Sequence, residues 1–343
     1  MDPLSSILSL LKPRNYLAAG LEAGGDWAIQ FPDQQDGIKT GAVVSGSCWL
    51  SVEGESAPVH LSAGDCFLLP SGRPFRLGTD LVLAPVDAAG IFAGPRKDSI
   101  VIHNGGGGFA LVSTRFALTG NHASVLMQML PPIVHIQDRS DQGVLRWMIE
   151  RMMAELRDPR PGGSLFVEHL AHMMLVETLR LHGTDGTAVR VGWLFALADR
   201  QMNAVLTALH DDPARRWTLQ TLAERAGMSR SGFAVKFKET VGSTPMEYLV
   251  KWRMLLAGAR LANANEPISV IAPSLGYDSE AAFSTAFKRV MGCSPRQYGR
   301  STSAGYTPPL NDQSRAGIHG DEVPSRLVIN HLTHRRDRPA SSV

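Results

Sequence analysis

A twenty-residue pattern occurs twice in this chain, fifty positions apart, with seven identical positions, and no other feature restricts the fold so strongly. The first copy, SRSGFAVKFKETVGSTPMEY, covers residues 229–248, and the second, SEAAFSTAFKRVMGCSPRQY, covers residues 279–298. The two align without a gap and share the pairs Ser229/Ser279, Phe233/Phe283, Phe237/Phe287, Lys238/Lys288, Gly242/Gly292, Pro245/Pro295 and Tyr248/Tyr298. Such a regular repeat predicts one structural unit that is built twice.

The residues in and before the first copy predict a helix-turn-helix. Apolar residues at helical spacing over 219–226 predict a first helix, which Gly227 can end with a left-handed backbone. Ser229 is a good N-cap for a second helix, and Gly242 closes it. Two short helices joined by a tight glycine turn are the signature of this motif.

The second copy repeats this order between residues 268 and 292, and a stiff connector separates the two units. Pro273 departs from the pattern, because it lacks an N–H group and predicts a first helix that is kinked or begins late. The segment 245–265 predicts one helix of about 17 residues, roughly 25 Å long. Such spacing suits two recognition helices in successive major grooves, which recur every ~34 Å.

Charge is distributed unevenly along the chain. Residues 217–300 contain 11 Lys and Arg against 6 Asp and Glu, whereas residues 1–216 contain 18 against 22. The repeated phenylalanines do not distinguish a DNA-binding domain from a plain helical bundle, because both would bury them. The prediction of DNA binding therefore depends on the exposed positions of the same helices. The repeat together with the basic balance predicts a DNA-binding domain.

Residues 217–300 resemble the tandem helix-turn-helix domain of AraC/XylS-type transcription regulators, and LGYDSEAAFSTAFKRVMGCSPRQY is close to that family's signature. The resemblance implies a bacterial, cytoplasmic protein that binds promoter DNA and contacts RNA polymerase. It also implies a second domain that senses a signal or dimerises.

The face opposite the phenylalanines is predicted to meet the DNA. Phosphate contacts would fix the register, and base contacts would read the sequence. The family often has arginine at the positions of Val235 and Thr285, so we expect less guanine readout there. The base-facing candidates are Arg230, Ser231, Ala234, Val235, Glu280, Ala281, Ser284 and Thr285; the phosphate candidates are Lys236, Lys238, Lys288, Arg289 and Arg296.

Residues 20–120 contain short runs rich in Val, Ile, Phe, Trp and Thr, separated by Gly, Pro, Asp and Ser. This pattern predicts an antiparallel barrel or jelly roll. LSAGDCFLLPSGRPF resembles the second half of a cupin motif, with Gly64, Pro70 and Gly72 in place and Phe75 where the motif has histidine. The histidines of the first half are also missing, so neither a metal nor another cofactor is predicted.

The predicted barrel would hold a small-molecule effector. Its candidate lining residues are Trp49, Phe67, His103 and Arg115. Lone histidines such as His60 and His103 are more often structural than ligating. The run HNGGGGF over 103–109 predicts a mobile hairpin or loop near the barrel mouth, because so much glycine is not rigid.

Two amphipathic helices joined by PRPGG predict a helical hairpin with apolar surface to spare. It would either pack on the barrel or dimerise, and the resemblance favours a homodimer. The segment 193–216 is predicted to be helical, and the composition after residue 301 predicts disorder. No apolar run of about 20 residues predicts a membrane span, the N-terminus does not resemble a signal peptide, and three scattered cysteines predict buried thiols.

The predicted fold is multi-domain α+β: an N-terminal antiparallel β-barrel of the cupin-like jelly-roll type with a helical hairpin, then an all-α tandem helix-turn-helix domain. The predicted domains are residues 1–135 for effector binding, 136–185 for the hairpin, 186–300 for DNA binding and 301–343 for the tail. The predicted function is a sequence-specific transcription regulator under effector control, not an enzyme. The alternatives are a regulator without a ligand and a cupin enzyme fused to a DNA-binding domain.

Overall fold

The multi-domain α+β organisation is confirmed in the computed structural model. The structure describes residues 1–34, 37–92, 99–118, 130–137, 143–184, 192–263 and 266–303. All the strands and two short helices lie within residues 3–136, and the described residues from 143 onward form helices and their connections. Most of the predicted tail lies outside the described residues.

Eleven strands of the described residues form two sheets. The six-stranded sheet has the order β11-β6-β3-β10-β1-β9, and the five-stranded sheet has the order β5-β4-β7-β2-β8. The bounds are β1 Arg14–Ala23, β2 Ala28–Phe31, β3 Ile38–Ser45, β4 Ser47–Val52, β5 Val59–Ser62, β6 Cys66–Leu69, β7 Phe75–Gly78, β8 Val86–Asp87, β9 Ile100–His103, β10 Phe109–Ala117 and β11 Val134–Ile136.

The two sheets form a jelly-roll-like sandwich around one apolar core, with Val43 and Phe67 on one sheet and Leu50 and Leu77 on the other. The prediction of an antiparallel β-barrel of the cupin-like jelly-roll type is confirmed as this jelly-roll-like sandwich, and two details differ from it. The strands form two separate sheets among the described residues, and β1 pairs with β9, and β2 with β8, in parallel. These pairings join distant segments, so local patterns did not reveal them.

The glycine-rich segment 103–109 is not a hairpin loop. It connects β9 and β10, which lie on opposite sides of β1. Gly24, at the end of β1, lies beneath it: a Cβ atom on Gly24 would come 2.3 Å from the carbonyl oxygen of Gly106. Glycine is therefore required where this loop crosses the strand.

Twelve helices are present in the described residues. Their bounds are α1 Pro3–Leu11, α2 Ala88–Phe92, α3 Gly143–Arg157, α4 Gly163–Thr184, α5 Trp193–Ala198, α6 Arg200–Asp211, α7 Leu219–Arg225, α8 Arg230–Val241, α9 Pro245–Asn263, α10 Ile268–Ser274, α11 Glu280–Met291 and α12 Pro295–Ser303. The predicted hairpin is α3 and α4. Its turn is held by the buried carboxylate of Glu155, which accepts hydrogen bonds from Arg151 and from the backbone and side chain of Arg160.

The hairpin packs on the outer face of the six-stranded sheet, where Met148, Met152 and Met174 lie in one core with Val112 and Phe116. The same core continues through α5 and α6 into the first helix-turn-helix. The second helix-turn-helix has a separate core around Phe283 and Phe287. No helix within the described residues is long and apolar enough to span a membrane.

Candidate nucleic-acid interface

The first helix-turn-helix consists of α7 and α8, as predicted. Thr218 and Thr221 cap α7 reciprocally, and Gly227 ends this unit's corner with φ +64°. Ser229 caps α8 through a hydrogen bond from the Gly232 N–H, at 3.2 Å. Gly242 closes α8 in the left-handed conformation, with φ +84°.

The second unit, α10 and α11, has the same construction. Gly276 turns the corner with φ +78°, Ser279 caps α11 through the Ala282 N–H at 3.2 Å, and Gly292 closes it with φ +79°. Helix α10 begins at Ile268, so the expectation of a late start was wrong. Pro273 lies in the last turn of the helix, which has seven residues as α7 does, so the proline neither delays its start nor makes it shorter than α7.

Six of the seven repeated identities serve the scaffold. The serines are caps, the glycines close the helices, the prolines open α9 and α12, and both phenylalanine pairs are buried. Tyr248 and Tyr298 are buried as well, and each packs edge-on against the second phenylalanine of its copy. Lys238 and Lys288 are the remaining pair, and both are exposed.

The two recognition helices, α8 and α11, expose equivalent faces. Arg230, Ser231 and Val235 are exposed on α8, and Val235 is 57% accessible although it is apolar. Glu280, Ala281 and Thr285 occupy the equivalent exposed positions on α11. Ala234 and Ser284 are half-buried at the edge of these faces, so the structure groups all eight predicted base-facing residues on two similar surfaces.

Four of the five predicted phosphate-binding residues are exposed: Lys238, Lys288, Arg289 and Arg296. Lys236 is not available in the same way. Its ammonium lies 2.7 Å from the Asp199 carboxylate and donates a hydrogen bond of 2.9 Å to the Gln201 side chain. The assignment of Lys236 to phosphate is therefore not supported by this geometry.

Asp199 and Gln201 are residues that the sequence reasoning missed. Asp199 caps α6 by accepting from the Gln201 and Met202 N–H groups. Burial would raise the pKa of Asp199, but the hydrogen bonds from Lys236 and from the two backbone N–H groups outweigh it and lower the pKa. An aspartate just before an apolar helical run is a signal of a helix N-cap that the sequence shows. The contact of Asp199 with Lys236 on α8 is not visible in the sequence.

Helices α5 and α6 attach the first recognition helix to the N-terminal part. The Gly192 N–H donates to the Thr240 carbonyl at 2.8 Å, and the Gln201 side chain donates to the Ala226 carbonyl at 2.8 Å. The buried ring of Trp193 lies in the same core as the hairpin residue Leu179. Among the described residues, the ion pair of Lys236 with Asp199 has no counterpart in the second unit, because Ala286 occupies the position equivalent to Lys236.

The connector α9 runs for 19 residues, about 28 Å at 1.5 Å per residue. Its Arg253 donates to the carbonyls of Pro213 and Arg215 and lies over the ring of Tyr277. His210 stacks on Trp252 at 3.9 Å, and burial lowers the pKa of this histidine to about 3. Arg253 thus ties the connector to the segment before α7 and to the corner of the second unit.

The four residues predicted to line a ligand pocket do not lie together. Trp49 is 36% exposed and contacts His60 on the outer face of its sheet. His103 pairs with Ala23 of β1, whereas Arg115 pairs with Leu17, six residues earlier in the same strand. Six residues of a strand span about 20 Å, so His103 and Arg115 lie about that far apart along β1. Phe67 and Arg115 belong to the sandwich interior, and their role in binding a ligand stays a prediction.

Comparison with known proteins relates both parts of the chain to one family of regulators. A cupin family model matches residues 2–183, and a helix-turn-helix domain model matches residues 222–301. A putative AraC-like transcription regulator of Streptomyces lividans is 42% identical over 299 residues, which is 87% of this chain and 98% of that protein.

The chain belongs to the AraC-like transcription regulators. The regulator AlkR of Acinetobacter baylyi is 30% identical over 305 residues, covering 87% of this chain and 99% of that protein. Among solved structures, ToxT of Vibrio cholerae O395 is 13% identical with a TM-score of 0.34, over 84% of this chain and 98% of that one. Membership of this family establishes the chain as a DNA-binding transcription regulator.

Metal chemistry of the cupin type needs a converging set of ligands. Within the ranges that the structure describes, no group of three His, Cys, Asp or Glu residues could hold a metal ion. His135 instead lies 3.2 Å from Asp65, which also accepts the Ser62 N–H in the turn before β6.

Proposed function

We propose that one chain reads two successive major grooves of promoter DNA with α8 and α11, as a homodimer controlled by a small effector in the N-terminal sandwich. The observation that carries the proposal is the pair Lys238 and Lys288. They are the repeated residues that have no part in the scaffold: the repeated serines and glycines are exposed as well, but they cap or close helices. An exposed lysine at the same place in both units fits a phosphate contact made twice.

Replacing Lys238 or Lys288 by alanine tests this reading. DNA sites selected by the purified full-length protein would be used in fluorescence anisotropy at several salt concentrations. Each variant should weaken binding to all sequences and lower the slope of log K against log salt by about one unit. Ser284→Ala should instead change base preference.

Arg180→Ala is the matched control, since Arg180 is an exposed cation on α4 and lies outside both recognition helices. It should leave the salt slope unchanged. If Lys238→Ala and Lys288→Ala behaved like this control, the recognition faces would be assigned wrongly.

The homodimer proposal is supported by an apolar stripe on the hairpin that the sheet does not cover. Val144 and Trp147 on α3 and Leu165, Phe166 and Met173 on α4 are all exposed, and Trp147 is 53% accessible. Arg151 joins the two helices by lying over the Phe166 ring at 5.3 Å. The other face of the same hairpin is buried against the sheet, so the stripe is free for a second copy.

Two further parts of the proposal follow from the family. A contact with RNA polymerase is expected of a promoter-binding regulator, and such a protein acts where the bacterial chromosome lies, in the cytoplasm. We place no catalytic step in the chain, and regulation would come from binding alone. Effector control is supported by the continuous core that joins the sheet, the hairpin and the first recognition helix.

A further inference from the structure

Arg253, on the connector α9, holds the segment that leads into the first helix-turn-helix. This segment, residues 212–218, lies between α6 and α7. The Arg253 Nε donates to the Pro213 carbonyl oxygen at 2.6 Å, and its Nη2 donates to the Arg215 carbonyl oxygen at 3.0 Å. A guanidinium is a planar fork whose donors point in fixed directions. Two bonds from one fork therefore fix both the distance and the orientation of the segment relative to α9.

The same guanidinium also contacts the second helix-turn-helix. It lies 5.6 Å from the centre of the Tyr277 ring, in the corner between α10 and α11. The Tyr277 ring in turn packs edge-on against the buried ring of Phe283 on α11, with the ring centres 5.6 Å apart. One side chain therefore contacts both the segment before the first unit and the corner before the second recognition helix.

This segment and the second corner also approach each other directly. A Cβ atom on Gly276 would lie 2.3 Å from the Ala214 carbonyl oxygen and 2.9 Å from the Arg253 Nη2 atom. A carbonyl group, a guanidinium and a glycine are thus packed at one point. Arg216 and Asp278 form an ion pair across the same junction, but their side chains are 83% and 84% exposed, so this pair contributes little.

The other end of the segment is fixed to the first unit. Trp217 is buried in the same core as Leu222 of α7, and its indole N–H donates to the Asp212 carbonyl oxygen at 2.9 Å. The Arg215 guanidinium lies 4.3 Å from the centre of the Trp217 ring. Thr218, the next residue, is the N-cap of α7. A displacement of the segment therefore moves the first helix-turn-helix with it.

Apolar packing alone does not fix the angle between the two units. Helix α9 contributes Trp252 to the core of the first unit, and Met254 and Ala257 to the separate core of the second. Burial of apolar surface is non-directional, so each unit could roll on α9 with a modest loss of contact. The hydrogen bonds of the Arg253 fork are directional and would be broken by the same motion.

We infer that Arg253 is a positioning residue whose fork sets the separation and the angle of α8 and α11, and thereby the spacing between the two half-sites. The inference rests on the proposed reading of two successive major grooves. One base pair adds about 3.4 Å and about 35° of rotation along DNA, so recognition helices held at a fixed angle fit a single spacing. The partners of Arg253 are backbone carbonyls and the Tyr277 ring, so it acts on DNA specificity through the placement of the two helices.

The test measures the affinity of the full-length protein for a series of DNA sites by fluorescence anisotropy. The reference site is one selected by the wild type, and its derivatives have one or two base pairs added or removed between the half-sites. A single insertion should weaken wild-type binding about tenfold or more, because one half-site leaves its groove. In Arg253→Met the same insertion should weaken binding by about threefold or less, because the second unit can follow the displaced half-site.

Two further variants separate the placement of the helices from the effect of charge. Arg253→Lys keeps the positive charge but lacks the planar fork, so it should also lose the spacing preference. Lys251→Met removes a neighbouring cation of α9 and should keep the preference of the wild type. Affinity for a site whose second half is scrambled should be equal in all four proteins, because one unit alone does not depend on the angle.

The inference would be overturned by Arg253 variants that keep the wild-type spacing preference, or that lose affinity for the scrambled site, since either result indicates a general loss of stability. Arg253→Lys carries the test if circular dichroism shows Arg253→Met to be unfolded. An unfolded Arg253→Lys would overturn the inference too, because the residue would then be needed for the fold itself, and so would a Lys251→Met that behaves like Arg253→Met. A wild type that binds every spacing equally would contradict the proposed reading of two grooves, and the inference would fall with it.

Discussion

The buried lysine of β3 makes a quantitative prediction about stability. Lys39, which is only 7% accessible and donates to the Ser113 hydroxyl, has its pKa lowered by burial from 10.5 to about 7 in the folded protein. One pKa unit corresponds to about 1.4 kcal/mol, so the burial of Lys39 lowers the free energy of unfolding near neutral pH by on the order of 4 kcal/mol. Lys39→Met keeps a side chain of similar length without the charge and should therefore be more stable than the wild type at pH 7.

The pH dependence provides the sharper result. Between pH 7 and 10.5 the unfolded chain binds more protons than the folded chain at this residue, so the stability of the wild type rises with pH. Lys39→Met lacks this contribution, and its advantage should shrink by up to about 1.4 kcal/mol per pH unit. Urea unfolding at pH 7, 8 and 9, followed by tryptophan fluorescence, measures the difference.

A control variant separates burial from loss of a positive charge. Lys12→Met removes an exposed lysine from the same part of the chain, and its stability relative to the wild type should not change with pH in this way. If Lys39→Met were less stable than the wild type, or if the difference between them were constant from pH 7 to 9, the ammonium would not be buried as described.

Two further predictions concern the hairpin and the second corner. Trp147→Glu places a charge in the exposed apolar stripe and should convert a dimer to a monomer in sedimentation velocity; a monomeric wild type or a dimeric variant would contradict the homodimer proposal. Gly276→Ala should lower the free energy of unfolding, measured by thermal unfolding, by more than about 2 kcal/mol, because φ is +78° and the new Cβ would lie 2.3 Å from the Ala214 carbonyl oxygen. Gly227→Ala is the matched variant: its φ is +64° but its Cβ would meet open space, so it should lower the free energy of unfolding by only about 1–2 kcal/mol. If both variants lost the same free energy of unfolding, the close approach of Gly276 to the Ala214 carbonyl oxygen would be refuted.

Local signals carried the prediction of the DNA-binding domain. Ser229, Gly242 and their counterparts act within one helical turn, so caps and turns can be read from neighbouring residues, and the repeat supported each reading twice. Helix α1 was not predicted, although Asp2 is its N-cap and Pro3 its first residue, because a short apolar stretch at an N-terminus is also typical of targeting segments.

Which residues face the inside of the N-terminal sandwich could not be predicted from sequence, because the face that a strand turns inward and the strand it pairs with depend on distant residues. Successive side chains of a strand point to opposite faces of the sheet, so Trp49 lies outside because Cys48 and Leu50 point into the sandwich. No neighbouring residue shows which of the two faces is the inner one. Lys39 and Arg115 are 76 positions apart, and only the pairing of β3 with β10 brings them together. The interaction of Lys236 with Asp199, the residue after α5, is likewise visible only after α5 packs beside α8.

The unequal attachment of the two helix-turn-helix units bears on how this regulator could be retargeted. The second unit buries its own phenylalanines in a separate core, so the exposed residues of α11 can be exchanged without rewriting other segments. The first unit shares its core with the hairpin and ties Lys236 and Thr240 to α5 and α6. New half-site specificities should therefore be grafted onto α11, while α8 is replaced only together with the segment that begins at Gly192.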